Sequence, residues 1–591
     1  MARIFRGFLQ TFAGESGLGG NMSHKWVTGL ALSTALGMGV AQAEQNAFVH
    51  LFEWSWSDVA EECEAFLGPH GFTGVQVSPP NEHITVENWW ARYQPVSYQL
   101  ESRSGSRAEF IDMVQRCNAV GVEIYADLVI NHTAAGSGGV GSGGTLWSYK
   151  DHPMYSPWDY HNYNCEIDYQ DAWSVRNCPL VGLPDLATGN DYVQQTIANF
   201  INDLVSIGVA GFRIDAAKHM HPNDIAGIIN RVDGQPYFYS EVIDVGGEAV
   251  TADEYLFLGS VEEFKYSRDI GSTFDWGQLS WLEFFGEAWG FLPGDQAVVF
   301  VDNHDNQRGH GAGGDILTYK RGDLYALANV FMLAWPHGHP RLMSSYDFVD
   351  TEAGPPSAPV HGSGLNCFAG DWICEHRWQP IAGMVGFRSA AAGQPVQNWW
   401  SDGGNRIAFS RGDRGFVAIN RTGQSMSTTL QTGLPAGEYC NVVDSSPLQD
   451  CPGQRVEVLS DGQAMVSLAP MSAMGLHVGA VTGDPGNTSP GDPELTSVAF
   501  ACGNGHTQWG QSVYVVGSHP LLGSWDPAGA VKLDPANYPT WNGQISLPQG
   551  ESVEWKCLKR AESDPGQMVE WQAGANNSVT VGAGASTQGQ F

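Results

Sequence analysis

Positive charge is scarce in this sequence, which holds 29 Lys and Arg residues against 63 Asp and Glu residues and has a formal net charge of −34 at pH 7. A chain so rich in negative charge repels the phosphates of nucleic acids and anionic membrane surfaces, so we expect neither as a partner. A C-x-x-C pair is also absent, which disfavours a zinc or redox motif. An uncharged substrate and a solvated surface remain compatible with this acidity.

The amino-terminal residues 1–43 have the features of a signal peptide. Residues 22–25 supply a short basic start, residues 26–40 form an apolar run without charge, and residues 41–43 (Ala-Gln-Ala) form a cleavage site. The apolar run is too short to span a membrane. We therefore predict a secreted protein. Its residues 1–21 are either an extended N-region or the product of a misplaced start codon.

The ten cysteines all follow the predicted signal peptide. In an exported protein, an even number of cysteines indicates disulfides. Three pairs are close neighbours in the sequence, which predicts local cross-links, and two more pairs use the remaining four cysteines. The predicted local pairs are Cys165–Cys178, Cys367–Cys374 and Cys440–Cys451, and the other two are Cys63–Cys117 and Cys502–Cys557.

Short apolar runs that end in polar residues alternate with helix-like stretches over most of the first 400 residues. This alternation predicts a parallel α/β architecture, and eight repeats would close a (β/α)8 TIM barrel at residues 44–131 and 186–396. About seven strands are supported by the pattern, and the eighth is a guess. Residues 132–185 show neither a strand nor a helix periodicity, and we therefore predict that they form an inserted domain after strand 3. The named strand runs are Phe48–Phe52, Phe72–Val77, Val122–Ile130, Val209–Ile214, Tyr237–Tyr239 and Val298–Val301.

The pattern changes after the predicted barrel. Residues 397–480 contain short alternating runs broken by Gly and Pro, which predicts an antiparallel β-sandwich domain. Residues 481–494 are rich in Gly, Pro, Asp and Ser and indicate a linker. Residues 495–591 form a second β-sandwich unit with prominent Trp residues.

Three acidic residues follow predicted barrel strands: Asp215, Glu241 and Asp305. Each one alone is better explained as a helix cap or as the partner of an Arg. Three acids at strand ends favour a shared site, because the carboxyl ends of barrel strands converge. Cleavage of a glycosidic bond needs one carboxyl to protonate the leaving oxygen and another to attack, roughly 5–5.5 Å apart in retaining enzymes.

Four ordered segments carry a specific resemblance: Val129–His132, Gly211–Asp215, Glu241–Asp244 and Phe300–Asp305. They resemble the signature regions of the α-amylase family, glycoside hydrolase family 13. The resemblance implies a double-displacement mechanism on α-1,4-glucan. It implies Asp215 as nucleophile, Glu241 as general acid/base, Asp305 as transition-state stabiliser, and His132, Arg213 and His304 as ligands of the sugar at the cleavage point.

Further segments resemble the animal-type, chloride-dependent members of that family, some of which are bacterial. They are Trp89–Pro95, Lys218–Met220 and Gly309–Gly314. The Trp pair could instead be core, and the Gly-rich loop could be either a surface turn or a lid over substrate. The resemblance implies that Trp90, Tyr93, Gln94, Lys218 and His310 bind substrate.

The same resemblance implies two ions. Calcium would be bound by Asn131, Asp185 and the carbonyl oxygens of Arg176 and His219, where the insertion meets the barrel. Chloride would lie between Arg213, Asn303 and Arg341 and would raise the pKa of Glu241. The alternative is that both Arg residues pair with neighbouring carboxylates.

Residues 495–591 resemble a family 20 carbohydrate-binding module. Several Trp residues in a small polar β-domain favour binding over a purely structural role. Cys502 and Cys557 depart from the motif, and we expect them to form a stapling disulfide. The implied starch sites are Trp525, Lys556, Trp571 and Asn576 for the first, and Trp509 with Tyr538 for the second.

Taken together, these patterns predict a secreted, monomeric endo-hydrolase of starch, glycogen and maltooligosaccharides that retains anomeric configuration. An exo-acting enzyme with products of fixed length, a non-catalytic glucan-binding protein and a transglycosylase are the alternatives. The glucan-binding alternative requires the loss of an acid, but Asp215, Glu241 and Asp305 are all present. A transglycosylase would intercept the covalent intermediate with a sugar, and the animal-type segments disfavour it.

Overall fold

The structure is a computed structural model that describes residues 46–591, except 312–313, 315, 363, 369, 446–450, 483–494, 509, 526, 528, 563–566, 568 and 583. The predicted signal peptide, most of the predicted linker and Trp509 lie outside the described residues. Within the described part, no helix is long and apolar enough to cross a bilayer.

A closed barrel of eight parallel strands forms the first part of the chain, as predicted. Neighbouring strands are in parallel register: Phe48 pairs with both Gly74 and Arg341, which closes the ring. The two strands that no named run covered are β6 and β8, which carry Glu262 and Arg341 into the interior. The strands are β1 (Phe48–Leu51), β2 (Gly74–Val77), β3 (Glu123–Leu128), β4 (Gly211–Ile214), β5 (Tyr237–Ser240), β6 (Ser260–Glu262), β7 (Ala297–Val299) and β8 (His339–Ser344).

Amphipathic helices cover the outside of the barrel. The helix Asp191–Ile207 buries Val193, Ile197 and Leu204 on one face, and Gly208 ends it with a φ of 111° that suits glycine. Ser106 and Glu109 form a capping box that starts another of these helices. The longer α-helices are Trp56–Glu62, Arg107–Ala119, Ala172–Asn177, Asp191–Ile207, Pro222–Ile229, Phe264–Asp275, Asp323–Ala334 and Gln379–Ala390.

The segment between β3 and β4 leaves the barrel, as the lack of periodicity predicted. It contains a short hairpin of Gly139–Val140 and Leu146–Trp147. An isolated bridge between His132 and Asp185 joins the two ends of the segment. These ends therefore lie together at the carboxyl end of β3.

Two β-units follow the barrel, as predicted; the first is antiparallel, and the second contains one parallel pair of strands, Leu495–Gly503 with Ser586–Gln590. The first contains the strands Val396–Ser401, Arg406–Arg411, Gly415–Asn420 and Ser472–His477 in one sheet, and Met426–Gln431, Gly437–Cys440, Arg455–Val458, Gln463–Leu468 and Val481–Thr482 in the other. The second contains Leu495–Gly503, Asp534–Asn537, Thr540–Pro548 and Ser586–Gln590 in one sheet, and Gln511–Gly517, Val531–Lys532, Ser552–Ala561, Glu570–Trp571 and Asn577–Thr580 in the other.

All five predicted disulfides are confirmed, and no cysteine in the described part of the chain is left unpaired. Cys165–Cys178 cross-links the insertion, and Cys502–Cys557 joins the two sheets of the carboxyl-terminal unit.

Candidate active site

One buried guanidinium holds four carboxylates together at the carboxyl end of the barrel. Arg213 Nη1 lies 2.8 Å from Asp127 Oδ1 and 3.0 Å from Asp215 Oδ1. Its Nη2 lies 2.5 Å from Glu241 Oε1, and its Nε donates to Glu262 Oε1 at 3.0 Å. The side chain of Arg213 is fully buried. Two of the three acids predicted from strand ends therefore share a single cation.

The strand order explains this convergence. In β4, Phe212 packs in the hydrophobic core, and Arg213 takes the alternate, inward direction. Asp127 on β3 pairs in register with Arg213 on the neighbouring strand β4, and Arg213 pairs with Tyr239 on β5. Inward positions of neighbouring strands meet inside a barrel, so charged side chains placed there are forced into contact.

The third predicted acid, Asp305, lies after β7 in the same site. Its backbone N–H donates to Asn303 Oδ1 at 3.1 Å, and its Oδ2 lies 3.5 Å from His304 Nε2. Burial raises the pKa of Asp305, and Arg213 opposes the rise. The negative charge of Asp305 in turn raises the pKa of both Asp215 and Glu241, so the three acids form one electrostatic unit.

Burial raises the pKa of Glu241 well above its usual value; Arg213 opposes the rise, and the charges of Asp215 and Asp305 add to it. Burial also raises the pKa of Asp215 to about 7, against the lowering effect of Arg213. Arg213 donates a hydrogen bond to Asp215, whereas its Nη2 faces Glu241 Oε1 without hydrogen-bond geometry. The arrangement thus favours an ionised Asp215 and a protonated Glu241.

Aromatic and polar side chains surround these acids. The ring of Tyr93 stacks on that of His304, with centroids 5.2 Å apart and planes 10° apart, and its hydroxyl donates to Asp127 Oδ2 at 3.1 Å. His132 Nε2 lies 2.9 Å from the carbonyl oxygen of Tyr93. Gln94 accepts a hydrogen bond from the backbone of the insertion at Ala135. Tyr93, His132 and His304 therefore belong to the same site as the acids.

The two neighbouring residues Trp89 and Trp90 differ in burial and in hydrogen-bond partner. Trp89 is buried and donates to a backbone carbonyl at 3.0 Å, whereas the half-buried Trp90 donates from Nε1 to Glu352 Oε2 at 2.6 Å. The other oxygen of Glu352 lies 3.6 Å from His310 Nε2. Trp90 and His310, both predicted to bind substrate, thus meet at one exposed carboxylate.

Lys218 is buried and occupied by protein partners. Its ammonium donates to the carbonyl oxygen of Ile243 at 2.5 Å and pairs with Glu248. The ring of Tyr169 lies 5.1 Å from the same ammonium. The two hydrogen-bond acceptors use two of the three N–H donors of the Lys218 ammonium.

Sequence reasoning missed Asp127, Glu262 and Glu352 in this site. Asp127 and Glu262 are fully buried inside strands, where a charged residue lowers the apolar signal of the strand itself. A charge inside an otherwise apolar strand run was the available signal for Asp127. Glu352 lies on a long loop, and nothing in the sequence brings it to Trp90.

Comparisons with known proteins agree with this geometry. Family models match three stretches: "Alpha amylase, catalytic domain" at residues 71–241, "Alpha amylase, C-terminal all-beta domain" at 399–479 and "Starch binding domain" at 495–590. An α-amylase of Streptomyces violaceus is 46% identical over 561 residues, which are 94% of this chain and 95% of the relative. This chain belongs to the α-amylase family.

Two other relatives support the same membership in this family of glycoside hydrolases. The pancreatic α-amylase of Sus scrofa is 47% identical over 474 residues, which cover 72% of this chain and 93% of the relative. A crystal structure of a Glu-to-Gln variant of α-amylase I from Eisenia fetida, in complex with maltohexaose, has a TM-score of 0.70 at 44% identity and covers 74% of this chain and 98% of that chain.

The four residues that the α-amylase resemblance assigns to calcium lie where the insertion meets the barrel. Asn131 Oδ1 is buried and has no hydrogen-bond partner among the described residues. Asp185 is buried, and the backbone next to it donates from Leu186 to Asn131 O at 2.9 Å. His219 is held by a contact of its Nδ1 with Val175 O, next to Arg176, at 2.9 Å. Asp185 Oδ2 lies 2.7 Å from His161 Nδ1. The amide oxygen of Asn131 and the buried carboxylate of Asp185 are hard oxygen donors of the kind that calcium prefers.

The residues assigned to chloride also converge, but a carboxylate joins them. Glu262 Oε1 accepts from Arg213 Nε at 3.0 Å and from Arg341 Nη1 at 2.5 Å. Asn303 Nδ2 and Arg341 Nη2 are buried without a hydrogen-bond partner in the described structure. Both Arg residues therefore pair with a carboxylate, which was the alternative to a bound anion.

In the carboxyl-terminal unit, Lys556 and Trp571 lie on paired strands of one sheet. Lys556 Nζ donates to Gly574 O at 2.7 Å, and Asn576 Nδ2 donates to Glu554 Oε2 at 3.0 Å. Trp525 ends a short helix that follows the neighbouring strand. Tyr538 of the second predicted site is exposed beside the ring of His506, with centroids 5.7 Å apart.

Proposed function

We propose that the protein is a secreted, endo-acting α-amylase that hydrolyses α-1,4-glucosidic bonds in starch, glycogen and maltooligosaccharides with retention of configuration. One observation carries the proposal: Arg213 lies within 3.0 Å of Asp215 and within 2.5 Å of Glu241 in the mouth of the barrel. A double displacement uses one carboxylate as nucleophile and one carboxyl as acid, and we assign these roles to the two side chains that this guanidinium contacts. The disulfides fit an oxidising compartment outside the cell.

The proposed reaction has two steps. Protonated Glu241 gives its proton to the leaving glycosidic oxygen while Asp215 Oδ attacks the anomeric carbon, which forms a glycosyl ester. Ionised Glu241 then takes a proton from water, which attacks the same carbon and releases Asp215. Asp305 stabilises the positive charge that develops on the sugar ring.

The rings around the acids supply the binding cleft. Sugar rings present apolar faces that stack on aromatic side chains, and Tyr93 and Trp90 are available for such stacking. Tyr93 is held by its stack on His304 and its hydrogen bond to Asp127. His132 is held by Tyr93 O. This mutual support positions the groups before substrate arrives.

The test of the proposed function is the relation between chain length and bond cleavage on soluble starch. An endo-acting enzyme cuts the mean polymer length steeply while reducing ends increase slowly. A slow decline of length with one dominant oligosaccharide would replace the proposal by the exo-acting alternative. Transfer of glucan units to added maltose in place of hydrolysis would favour the transglycosylase. Absence of any cleavage would favour a glucan-binding protein.

We propose that calcium joins the insertion to the barrel through Asn131, Asp185 and the carbonyl oxygens of Arg176 and His219. Bound calcium would add positive charge beside the buried carboxylate of Asp185, whose pKa burial raises against the opposing effect of His161. A ligand at 100 times its Kd stabilises the folded state by about 2.7 kcal/mol. We therefore expect chelation to lower the melting temperature, and calcium, but not an equal concentration of magnesium, to restore it. Asn131→Ala should remove most of this response, and an unchanged melting temperature after chelation would contradict the site.

We propose that residues 495–591 bind starch granules through Trp525, Lys556, Trp571 and Asn576, with a second site at Trp509 and Tyr538. Deleting residues 495–591 should lower adsorption to granules by at least about tenfold, because the linked module that attaches the catalytic barrel to the granule is lost. Activity on soluble maltooligosaccharides should stay within about twofold. Trp571→Ala should reproduce part of the adsorption loss, because this Trp is 39% exposed. Equal adsorption of the shortened chain would refute the assignment.

A further inference from the structure

A carboxylate occupies the position between the two interior arginines. Glu262 ends β6, and its side chain is fully buried. Its Oε1 accepts from Nε of Arg213 at 3.0 Å and from Nη1 of Arg341 at 2.5 Å, and both guanidiniums are buried to 99% or more. Burial raises the pKa of Glu262, but Arg341 and Arg213 outweigh this effect and leave it lowered. Glu262 is therefore an anion in this site.

The remaining neighbours of Arg341 complete a closed network. Gln76 Oε1 accepts from Arg341 Nη1 at 3.2 Å and from the hydroxyl of Tyr239 at 2.9 Å. The ring of Phe300 lies 4.6 Å from the guanidinium carbon. His50 adds no positive charge, because burial and the nearby Arg341 hold its pKa well below the usual value. Arg341 thus has one charged partner among the described residues, and that partner is Glu262.

The charges in this site do not fit an additional anion. Arg213 and Arg341 supply two positive charges, and Asp127 and Glu262 already lie within 3.0 Å of them. Asp215 and Glu241 add further negative charge when ionised. A buried anion needs cationic donors that are not already neutralised. Asn303 Nδ2 and Arg341 Nη2 are buried donors without a hydrogen-bond partner among the described residues, but Glu262 Oε2 is a buried acceptor without a partner and belongs to a negatively charged group that already pairs with Arg341.

We propose that Glu262 supplies within the chain the negative charge that the resemblance assigned to chloride, so the enzyme works without a chloride cofactor. The proposal rests on the proposed amylase function. Glu262 is a positioning residue: it holds Nε of Arg213, so that Nη1 and Nη2 of the same planar guanidinium point at Asp215 and Glu241. The negative charge of Glu262 also raises the pKa of Glu241.

The first experiment uses the wild-type protein. Melting temperature and kcat/KM on maltooligosaccharides are measured after exhaustive removal of chloride and again across a chloride titration, with sodium gluconate holding ionic strength constant. We expect both quantities to stay constant, with less than about a twofold change in kcat/KM. A rise of tenfold or more in kcat/KM, with a rise in melting temperature, would overturn the proposal and show a chloride site beside Glu262.

The second experiment uses Glu262→Ala, which removes the carboxylate and leaves space for an ion. This variant should lose at least tenfold in kcat/KM without chloride, and chloride should restore most of the loss and raise the melting temperature. Glu263→Gln is the matched control: it alters the next residue, which accepts from the backbone N–H of Lys265 and Leu292 instead of the arginines. The control should show no chloride response.

Two outcomes of the second experiment count against the proposal. Full activity of Glu262→Ala without chloride would show that no anion is needed, and a loss that chloride does not reverse would show that Glu262 is only structural. If Glu262→Ala does not fold, Glu262→Ser also removes the carboxylate and leaves space for an ion, and the same chloride rescue is expected. A wild type that cleaves no starch would defeat the proposed function alone, because the melting-temperature titration does not depend on hydrolysis.

Discussion

Replacing Glu241 by Gln is expected to lower kcat on starch by about 10³–10⁴-fold, near the upper end of what general acid catalysis contributes. The amide cannot protonate the leaving oxygen, and it cannot later take a proton from water. The substitution conserves shape, and the amide oxygen of Gln can keep the hydrogen bond that Glu241 Oε2 accepts from the backbone N–H of Ala216 at 2.9 Å. We therefore expect KM and melting temperature to change little. Initial rates on soluble starch measure the effect.

A substrate with a good leaving group separates the two proposed roles. Maltosyl fluoride needs no proton on its leaving group, so Glu241→Gln should form the glycosyl ester at a much less reduced rate. Added azide should then rescue turnover by replacing water, which needs base assistance. Asp215→Asn should stay inactive under both conditions, because it lacks the nucleophile. The reverse pattern would exchange the two assignments, and equal loss on both substrates by Glu241→Gln would contradict an acid role.

Replacing Arg213 by Gln is expected to lower the free energy of unfolding by about 3–5 kcal/mol, because the substitution leaves buried carboxylates without their common partner. The same variant should have no measurable activity. Arg213 lies within 3.0 Å of Asp127, Asp215, Glu241 and Glu262. Urea denaturation measures the loss of stability. Arg116→Gln is the control: its ion pair with Glu64 is exposed, so its loss should cost no more than about 1 kcal/mol.

The pH dependence gives this prediction a second readout. In the folded state, burial raises the pKa values of Asp127, Asp215 and Glu241, and Arg213 opposes this rise. Removing Arg213 should therefore raise these three pKa values further. A raised folded pKa gives stability that is present at low pH and lost as pH rises through that pKa. Arg213→Gln should therefore be destabilised more at pH 8 than at pH 5. Equal destabilisation at both pH values would contradict the carboxylate cluster.

The convergence of the three proposed catalytic acids could be predicted because each one follows a strand whose apolar run is visible in the sequence. Asp215 and Glu241 come directly after β4 and β5, and the rule that strand ends converge places them together. The order of the four matching segments then assigned them roles. The barrel itself was predictable for the same reason, since most of its strands are short apolar runs flanked by turns.

Asp127 and Glu262, the two further carboxylates that pair with Arg213, were missed because they lie inside strands and not after them. Glu262 ends a strand of three residues, which is too short to show a period, whereas Arg213 and Arg341 were identified through the family resemblance. Polar residues in the barrel interior weaken the apolar signal of exactly the strands that carry them. The pairing of each carboxylate with a guanidinium depends on how the barrel closes, and the pattern of residues along the sequence does not predict this closure.

The most direct test of the central claim is the anomeric configuration of the first product released by the wild type. Proton NMR during the first minutes of maltohexaose hydrolysis, faster than mutarotation, distinguishes the two anomers. Attack by Asp215 followed by attack of water on the same carbon predicts that the α-anomer appears first and the β-anomer only later. Initial release of the β-anomer would show a single displacement and contradict Asp215 as the nucleophile.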